Sequence, residues 1–506
     1  MITYSDGTKD IIASNDRNWK YYNNGPVIYN SLDMGEVYDA TKEVAVKNWS
    51  TATYDDSKWK QAVTVPLDGT AYREGAVNFM GAKENIDYDK LSLIGQIGEN
   101  AGIYKTLTAT SMKEVSKGVY VYNMGQNFVG VPKILISHGK AGGKITVRVA
   151  EMLYPDLAES GSNVGLLMTE NYRAALSQDI YVMNDGEQVF QPRFTSHGFQ
   201  YIEITGIDEP LPLEAVKGLS ISSVRKLTAS YETSNEKVNK LWSNLVWSNV
   251  DNFLSIPTDC PQRNERMGWS GDISVFSRTA TYISNSDQFL RRHMLAMRNV
   301  QTAKGKFTDI APVGGGFGGL LWGSAGITVA WETYLQYNDI VLLKEHYQSM
   351  VNYINYLDSS IDKQTGLCTD RQLGDWLGPQ NNQLGADFLV TAYHVFDLGI
   401  MLKVAELLGN KTDASRFQKL YNERKEFFNK AFVNADKKTM GLIGGGMFGS
   451  AGVKQEWKVA DIQTAYAVGL ALNAFSDENI PFMVKNLKAA VERKNTGDDD
   501  ILRPEY

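Results

Sequence analysis

The pattern of apolar and polar positions changes character near residue 230. Before that point, short segments alternate between apolar and polar residues, which is the period of a half-buried strand. Clusters of Gly, Asn and Asp separate these segments, as expected for hairpins and loops. Strands are predicted at 119–122, 133–136, 145–149, 179–182 and 200–204. Many short strands joined by loops indicate a β-sandwich.

After residue 230 the period becomes helical. Thr233-Ser234-Asn235-Glu236 fits a capping box, and the apolar residues that follow it fall on one broad stripe. Further helices are predicted at about 273–300, 325–337, 340–357, 385–408, 412–432, 458–475 and 479–493. Because helices follow one another without strands, an all-α domain is expected, either a toroid of helical hairpins or a bundle.

Length and pattern together divide the chain into three parts. The 506 residues are too many for one core. The first 65 or so residues also read as strands, but their tryptophans lie among polar turns, so they are expected to form a different module. The predicted domains are residues 1–75, a remnant of an N-terminal β-sandwich module, 76–228, a β-sandwich domain, and 229–506, a helical domain.

Composition excludes several classes of partner. The net charge is −7 and there is no long Lys/Arg block, so nucleic acid is not expected to bind. No apolar run approaches the roughly 20 residues that cross a bilayer, so no membrane partner is expected. The N-terminus lacks the basic and apolar regions of a signal peptide. As written, the chain is therefore expected to be cytoplasmic.

Cysteine and histidine usage argues against a metal or other cofactor. Cys260 and Cys368 cannot form a disulfide framework and lack the spacing of zinc ligands. The five histidines are scattered without a paired-ligand pattern, and each is expected to be structural: His138, His197, His293, His346 and His394. No metal and no cofactor are predicted.

Residues 258–272 carry the most concentrated chemistry. Three carboxylates, two guanidiniums and an indole follow an amphipathic helix within this short segment, in the order Asp259, Arg263, Glu265, Arg266, Trp269 and Asp272. Pro261 and two glycines make a regular helix improbable, so these side chains can converge on a cleft. Cleavage of a glycosidic bond requires an acid, carboxylates that grip the sugar, and an aromatic platform. The alternative is a surface loop whose charges pair with one another.

Three later loops are further candidates. The glycine run 314–319 leads to Trp322 and lacks the Lys-Ser/Thr pair of a phosphate loop. It fits a sugar subsite or an ordinary surface loop. In the second loop Asp375 precedes Trp376. In the third, Glu456 and Trp457 open a predicted helix, and there packing or capping is favoured over catalysis.

The segment from Asp259 to Asp272 resembles the signature of bacterial α-L-rhamnosidases of glycoside hydrolase family 78. Further similar segments extend the resemblance over nearly the whole chain. They are 125–130, 169–173, 192–199, 312–332, 374–376 and 461–466. The resemblance implies β-sandwich domains followed by a catalytic (α/α)6 barrel, and release of terminal α-L-rhamnose from glycans or glycosides with inversion of configuration.

The same resemblance implies a role for each matched residue. Glu265 would be the general acid that protonates the glycosidic oxygen. Asp259 and Asp272 would accept hydrogen bonds from rhamnose hydroxyls, while Arg263 and Asn264 would help to bind and position the sugar. Trp269, Trp322 and Trp376 would form the apolar wall that suits the methyl group of a deoxy sugar. An inverting enzyme also needs a base carboxylate, roughly 6.5–9.5 Å from the acid.

The chain departs from the family pattern at its ends. The base glutamate is expected in a Trp-Glu-Arg segment beyond Tyr506, and the barrel is expected to lack its C-terminal helices. The chain is therefore expected to be a fragment or a truncated gene product, and a missing N-terminal portion would allow a periplasmic or secreted protein. Weak or absent hydrolysis is predicted unless Glu456, Glu505 or a partner chain supplies the base.

Two rival functions and one electrostatic question stay open. The rivals are a catalytically inactive rhamnose-binding or glycan-binding protein and another α-barrel glycosidase or lyase. Burial and the neighbouring carboxylates Asp259 and Asp272 would raise the pKa of Glu265. Contact with Arg263 or Arg266 would lower it, and the order of residues alone does not decide between them.

Overall fold

The computed structural model describes residues 2–64, 92, 94–371, 373–375, 383–443 and 456–493. Ten strands of its first half share one hydrogen-bonded sheet. They are β1 (Val27–Ser31), β2 (Gly35–Asp39), β3 (Gly102–Thr108), β4 (Ser111–Ser116), β5 (Val119–Gly139), β6 (Lys144–Ala150), β7 (Gln178–Val182), β8 (Gly186–Phe190), β9 (His197–Thr205) and β10 (Val216–Ser222). Their order is β1-β2-β7-β6-β9-β5-β10-β3, and β4 and β8 also pair with β5.

The long strand β5 organises the β-sandwich. Its first half pairs with β4 and β9, and its second half pairs with β8 and β10. The predicted strands 119–122 and 133–136 are therefore the two ends of one strand. Tyr122, Phe128 and Ile134 are fully buried along it and belong to a single core. One strand with two sets of neighbours lets the sheet fold over and enclose that core.

Strands β1 and β2 extend this sheet, although they lie in the segment predicted to form a different module. Strand β2 runs parallel to β7, whereas the other pairs in the sheet are antiparallel. The junction is polar and buried, because the Glu36 backbone N–H donates to Asp179 over 2.8 Å and the Arg193 backbone N–H donates to the Glu36 carboxylate over 3.1 Å. Shorter strand pairs are Ile2–Thr3 with Lys9–Asp10, Lys20–Tyr21 with Lys60–Gln61, Met152–Leu153 with Leu167–Met168, Phe253–Leu254 with Ile256–Pro257, and Met440–Gly441 with Lys458–Val459.

The second half is helical, which confirms the predicted change of regime. In the described residues its helices are α1 (Glu236–Asn252), α2 (Ser270–Ile283), α3 (Asp287–Asn299), α4 (Leu320–Gly323), α5 (Ala325–Tyr337), α6 (Ile340–Ser359), α7 (Ala386–Leu407), α8 (Lys411–Phe432), α9 (Gln463–Ala471) and α10 (Ile480–Glu492).

Two predicted helices are wrong in extent. The 273–300 segment is broken between α2 and α3, where Ser284 is extended and the Tyr337 hydroxyl bridges the gap. It accepts from the Ser286 backbone N–H at 3.0 Å and donates to the Ser284 carbonyl at 2.8 Å. The 458–475 segment begins as a short strand, and its helix starts only at Gln463.

The cap of α1 also differs from the prediction. Asn235 is the N-cap, and its side chain accepts from the backbone N–H groups of Lys237 and Val238. Thr233 lies two residues earlier and accepts from the Asn235 backbone N–H over 3.1 Å. Because Glu236 is the first helical residue, it cannot reach back as the third residue of a capping box.

Helix α7 is the one helix of the described residues that is both long and apolar enough to cross a membrane. Most of its residues are buried within the helical domain, including His394 and Asp397, and it packs against α8. Burial on nearly every side identifies it as the central helix of a core.

A buried carboxyl joins the helical domain to the sandwich. Asp251, near the end of α1, accepts a 2.9 Å hydrogen bond from the Val129 backbone N–H in β5. Burial raises the pKa of Asp251 to about 8. The carboxyl is therefore held in its neutral form near neutral pH.

Candidate active site

The segment between α1 and α2 forms a loop closed on itself. The Thr258 backbone N–H donates to the Asn252 carbonyl at 2.7 Å. Asp259 and Met267 then close the loop with two bonds. The Asp259 N–H donates to the Met267 carbonyl, and the Met267 N–H donates to the Asp259 side chain, both at 3.1 Å. The residues from 260 to 266 are therefore fixed as a unit, with Asp259 at its base.

Two arginines meet on one oxygen of Glu265. Arg263 donates to Oε2 from Nε at 3.0 Å, and its Nη2 lies 2.8 Å from the same oxygen. Arg173 donates to the same oxygen from Nη1 at 3.0 Å. Arg173 comes from the sandwich, 92 residues earlier in the chain. Arg266, the other arginine that could have contacted Glu265 and lowered its pKa, instead contacts backbone carbonyls of the sandwich part.

Asp259 and Glu265 form a hydrogen-bonded pair with opposite shifts of pKa. Burial, then the charge and hydrogen bond of Glu265, raise the pKa of Asp259 to about 7. Burial alone would raise the pKa of Glu265 too. The hydrogen bond from Asp259 and the charges of Arg263 and Arg173 outweigh it and hold the pKa of Glu265 below its usual range. The pair thus shares one proton, which rests on Asp259 while Glu265 is ionised.

A cavity of about 250 Å³ adjoins Asp259 of this pair. Asp259 and Asp272 line it together with apolar side chains, among them Phe253 after α1 and Ile273 and Phe276 of α2. Partial burial, followed by the charge of Glu265, raises the pKa of Asp272. The cavity therefore combines an apolar wall with two carboxyl groups, which suits a small molecule that carries several hydroxyls.

Two of the three indoles predicted to form the apolar wall, Trp269 and Trp322, lie within the described residues and are buried. Trp269 is 6% exposed and Trp322 is 9% exposed, and they belong to one cluster with Ile310 and Leu373. A Cβ on Gly271 would lie 2.7 Å from the Trp322 ring nitrogen, so the ring packs directly on the start of α2. Trp376 lies outside the described residues.

The glycine run 314–319 is tied to the same segment through Asp309. The Gly318 backbone N–H donates to the Asp309 carboxylate at 2.8 Å, and the Ser270 N–H donates to the Asp309 carbonyl at 2.8 Å. Burial raises the pKa of Asp309 to about 6, against the opposing charge of Lys306. Asp309 thus connects the glycine run with the first residue of α2.

The sandwich supplies further contacts that hold the segment. Asn264 accepts a 3.3 Å hydrogen bond from the Ala174 backbone N–H, so its side-chain oxygen faces the sandwich. The Arg266 side chain is 5% exposed, and its Nη1 donates to the carbonyls of Leu32 and Ser196, both at 2.6 Å. Arg266 therefore joins the loop to β-rich segments that lie 234 and 70 residues earlier in sequence.

Three potential metal ligands come together here, which spacing along the chain did not indicate. One ligand atom each of Asp259, Cys260 and Glu265 lies within 4.8 Å of the others. A metal requires deprotonated ligands. Burial, followed by the charge and hydrogen bond of Asp259, raises the pKa of Cys260 to about 12, and the two carboxyls already share a proton. Without a bound cation, the cluster therefore holds protons on Cys260 and Asp259.

The third candidate loop, with Glu456 and Trp457, contacts residues other than those of the Asp259–Glu265 cluster. Trp457 stacks on Phe432 with the ring centroids 4.5 Å apart, and its ring nitrogen donates to Asp387 at 3.4 Å. Glu456 is exposed, and Glu505 lies outside the described residues. Packing is thus the role that the geometry gives to Trp457.

Arg173 is the site residue that the sequence reasoning missed. It lies in segment 169–173, which was noted for its resemblance to the family but received no role. A pairing across 92 residues and two domains leaves no periodic signal in one sequence. The positive charge of Arg173 was the only local indication.

Comparison with known families covers most of the chain. The bacterial alpha-L-rhamnosidase 6 hairpin glycosidase domain matches residues 226–497, more than half of the chain. The bacterial alpha-L-rhamnosidase concanavalin-like domain matches residues 113–222. The alpha-L-rhamnosidase N-terminal domain matches residues 1–80.

Similar proteins are longer than this chain. An alpha-L-rhamnosidase of Streptomyces avermitilis is 32% identical over 98% of the chain and 43% of its own length. Another, from an Alteromonas species, is 30% identical over 98% of the chain and 50% of its own length. The chain thus spans about half the length of these curated relatives.

Solved structures show the same architecture. The crystal structure of the Streptomyces avermitilis α-L-rhamnosidase complexed with L-rhamnose has a TM-score of 0.80 at 32% identity, covering 97% of this chain and 42% of that one. The α-L-rhamnosidase from Dictyoglumus thermophilum also has a TM-score of 0.80, at 30% identity, covering 96% of this chain and 50% of that one.

Proposed function

The chain belongs to the bacterial α-L-rhamnosidase family, and from this membership we propose that it is a glycoside hydrolase that acts on terminal α-L-rhamnosyl groups. The substrates would be rhamnose-containing glycans or glycosides. The rhamnosyl ring would occupy the cavity beside Asp259 and Asp272, and Glu265 would be the general acid.

The observation that carries this proposal is the hydrogen-bonded pair of Asp259, which lines the cavity, and Glu265, which two arginines contact. Acid and base roles in glycosidases are set by environments that drive apart the pKa values of neighbouring carboxyls. Here burial raises the pKa of Asp259 to about 7, and two arginines hold the pKa of Glu265 low. A proton for the leaving group is therefore stored near neutral pH, one hydrogen bond away from Glu265.

The reaction would begin with the transfer of that proton from Asp259 to Glu265. Glu265 would then give it to the glycosidic oxygen as the bond between this oxygen and C1 breaks, and the bonding electrons would stay on the oxygen. Asp259, now ionised, and Asp272 would accept hydrogen bonds from the sugar hydroxyls. In an inverting reaction, a second carboxylate takes a proton from water while the water adds to C1 from the opposite face.

The test compares leaving groups in a Glu265→Gln variant. Wild type should release both 4-nitrophenol and a poor leaving group such as methanol from α-L-rhamnosides. The variant should lose about 10²- to 10⁴-fold in kcat with the poor leaving group and much less with the activated one, because only the former needs a proton. Proton NMR should show β-L-rhamnose as the first product if configuration is inverted.

Controls separate this assignment from its rivals. Glu187 is an exposed carboxylate on β8, so Glu187→Gln should leave both rates unchanged. Full activity of Glu265→Gln on the poor leaving group, with loss in Asp259→Asn, would move the acid role to Asp259. Calorimetric binding of L-rhamnose without turnover of either glycoside would instead support a rhamnose-binding protein.

A further inference from the structure

The backbone around Arg173 is held by several contacts to its surroundings. The 3-10 helix Glu170–Tyr172 precedes it, and Arg173 itself has a φ of 58°, which few non-glycine residues adopt. The Tyr172 hydroxyl donates to the Gly198 carbonyl, and the Ala174 backbone N–H donates to Asn264 at 3.3 Å. An unusual conformation persists only where its surroundings fix it. The contacts of Tyr172 and Ala174 therefore hold the backbone of Arg173 where its side chain reaches Glu265.

The Arg173 guanidinium has capacity for a second partner. It donates from Nη1 to Glu265, while 54% of its side chain is open to solvent. A guanidinium carries five N–H donors in a planar fork that matches a carboxylate or a sulfate. Arg263 keeps its own hydrogen bond and ion pair with Glu265, so Arg173 can turn away without leaving this carboxylate unpaired.

The position of Arg173 identifies the side of the acid on which it acts. Of the described residues, Asp259 and Asp272 line the cavity, whereas Arg173 does not. A general acid lies between the sugar that is released and the group that leaves, because it protonates the oxygen that joins them. If the sugar occupies the cavity, the leaving group extends out of the cavity past Glu265, where Arg173 contacts Glu265 from the sandwich.

We propose that Arg173 binds an anionic group, a carboxylate or a sulfate, on the leaving-group side of the bond that is cleaved. The inference rests on the proposed function, since it needs a rhamnosyl group in the cavity. The substrates preferred are then α-L-rhamnosides whose next unit is acidic, such as a uronic acid. When Arg173 turns to that anion, Glu265 loses one of the two cations that keep it ionised, and it accepts the proton of Asp259 more readily.

The test uses two pairs of glycosides that differ only in charge. The sulfur-linked 3- and 4-carboxyphenyl 1-thio-α-L-rhamnosides, which resist hydrolysis, are compared with their neutral 3- and 4-carbamoylphenyl counterparts, by calorimetry at pH 7 with the whole chain. Wild type should bind at least one carboxyl compound about fivefold more tightly than its carbamoyl partner, as expected for a solvent-exposed ion pair. The preference should disappear in Arg173→Met, persist in part in Arg173→Lys, and weaken with added salt.

A matched control and a neutral ligand make every outcome decisive. Arg225 pairs with Glu99 on the exposed surface at 3.0 Å, so Arg225→Met should keep the preference. Equal binding of charged and neutral glycosides by wild type, or a preference that survives in Arg173→Met, overturns the role of Arg173. The proposed function fails separately, and this inference with it, if wild type binds neither L-rhamnose nor a carbamoylphenyl rhamnoside.

Discussion

Lowering the pH should destabilise the helical domain through His293, and the structure sets the size of the effect. His293 lies on α3, is 3% exposed, and has no hydrogen-bond partner for either ring nitrogen among the described residues. Burial, followed by the charge of Arg292, lowers the pKa of His293 to about 4. The folded protein therefore holds this imidazole neutral at pH values at which the unfolded chain protonates it.

The direction of the change in stability depends on how many protons the folded and unfolded states bind. Between the unfolded pKa near 6.5 and the folded pKa near 4, the unfolded state binds more protons, so stability falls as pH falls. The free energy of unfolding should lose about 0.2 kcal/mol at pH 7 and about 2 kcal/mol at pH 5 from His293 alone. Below pH 4 the loss should level off, because the folded protein then binds the proton as well.

The assay is urea unfolding of wild type and His293→Met, followed by tryptophan fluorescence at pH 7, 6 and 5. Methionine is apolar and adaptable, and it fits beside Leu290 and Met294. The stability of the variant relative to wild type should rise by about 2 kcal/mol from pH 7 to pH 5. Comparing the two proteins at each pH cancels the titration of other groups.

His138 provides the control for this experiment. It is exposed on β5, so His138→Met removes an imidazole that is not buried and should lack the gain in relative stability expected of His293→Met. A constant difference between wild type and His293→Met over the same range would show that His293 is hydrated or protonated in the folded protein. That result would refute the reasoning.

Three other expected outcomes can be measured by the same urea titration. Burial raises the pKa of Asp251 to about 8, so the folded protein binds a proton there that the unfolded chain loses above about pH 4. The wild type therefore loses stability as pH rises from about 4 to 8. The free energy of unfolding of Asp251→Asn should rise relative to wild type by about 1.4 kcal/mol per pH unit within that window. Arg266→Met should cost about 3 kcal/mol, because it removes a buried guanidinium that donates to Leu32, and limited proteolysis should cut the N-terminal residues faster. Gly268→Ala should cost about 1–3 kcal/mol or more, because its Cβ would lie 2.1 Å from the Ala311 carbonyl oxygen.

The fold was largely predictable because its elements have regular periods. Alternation over 145–149 and the helical stripe over 340–357 reflect burial of one face, and both elements are present as β6 and α6. The break between α2 and α3 was not predictable. Its backbone groups are satisfied by Tyr337, 51 and 53 residues away, and that partner is known only once the chain has folded.

The candidate site was predictable in its residue types but not in its electrostatics. The acidic segment was recognised from Asp259 to Asp272, and the roles implied for its residues stay predictions. Whether Glu265 is neutral or ionised depends on which arginine reaches it. Arg266, one residue away, turns to the carbonyls of Leu32 and Ser196, whereas Arg173 arrives from the sandwich. Proximity in sequence therefore does not show which of the two arginines contacts Glu265.

The buried Arg266 side chain has a consequence for protein engineering. Because Arg266 joins residue 32, residue 196 and the loop before α2, the helical part cannot be exchanged independently of the residues that precede it. A chimera that joined this part to an unrelated N-terminal part would leave the Arg266 guanidinium without its Leu32 and Ser196 acceptors. Recombination between related genes should accordingly succeed only when both sides of this junction are inherited together.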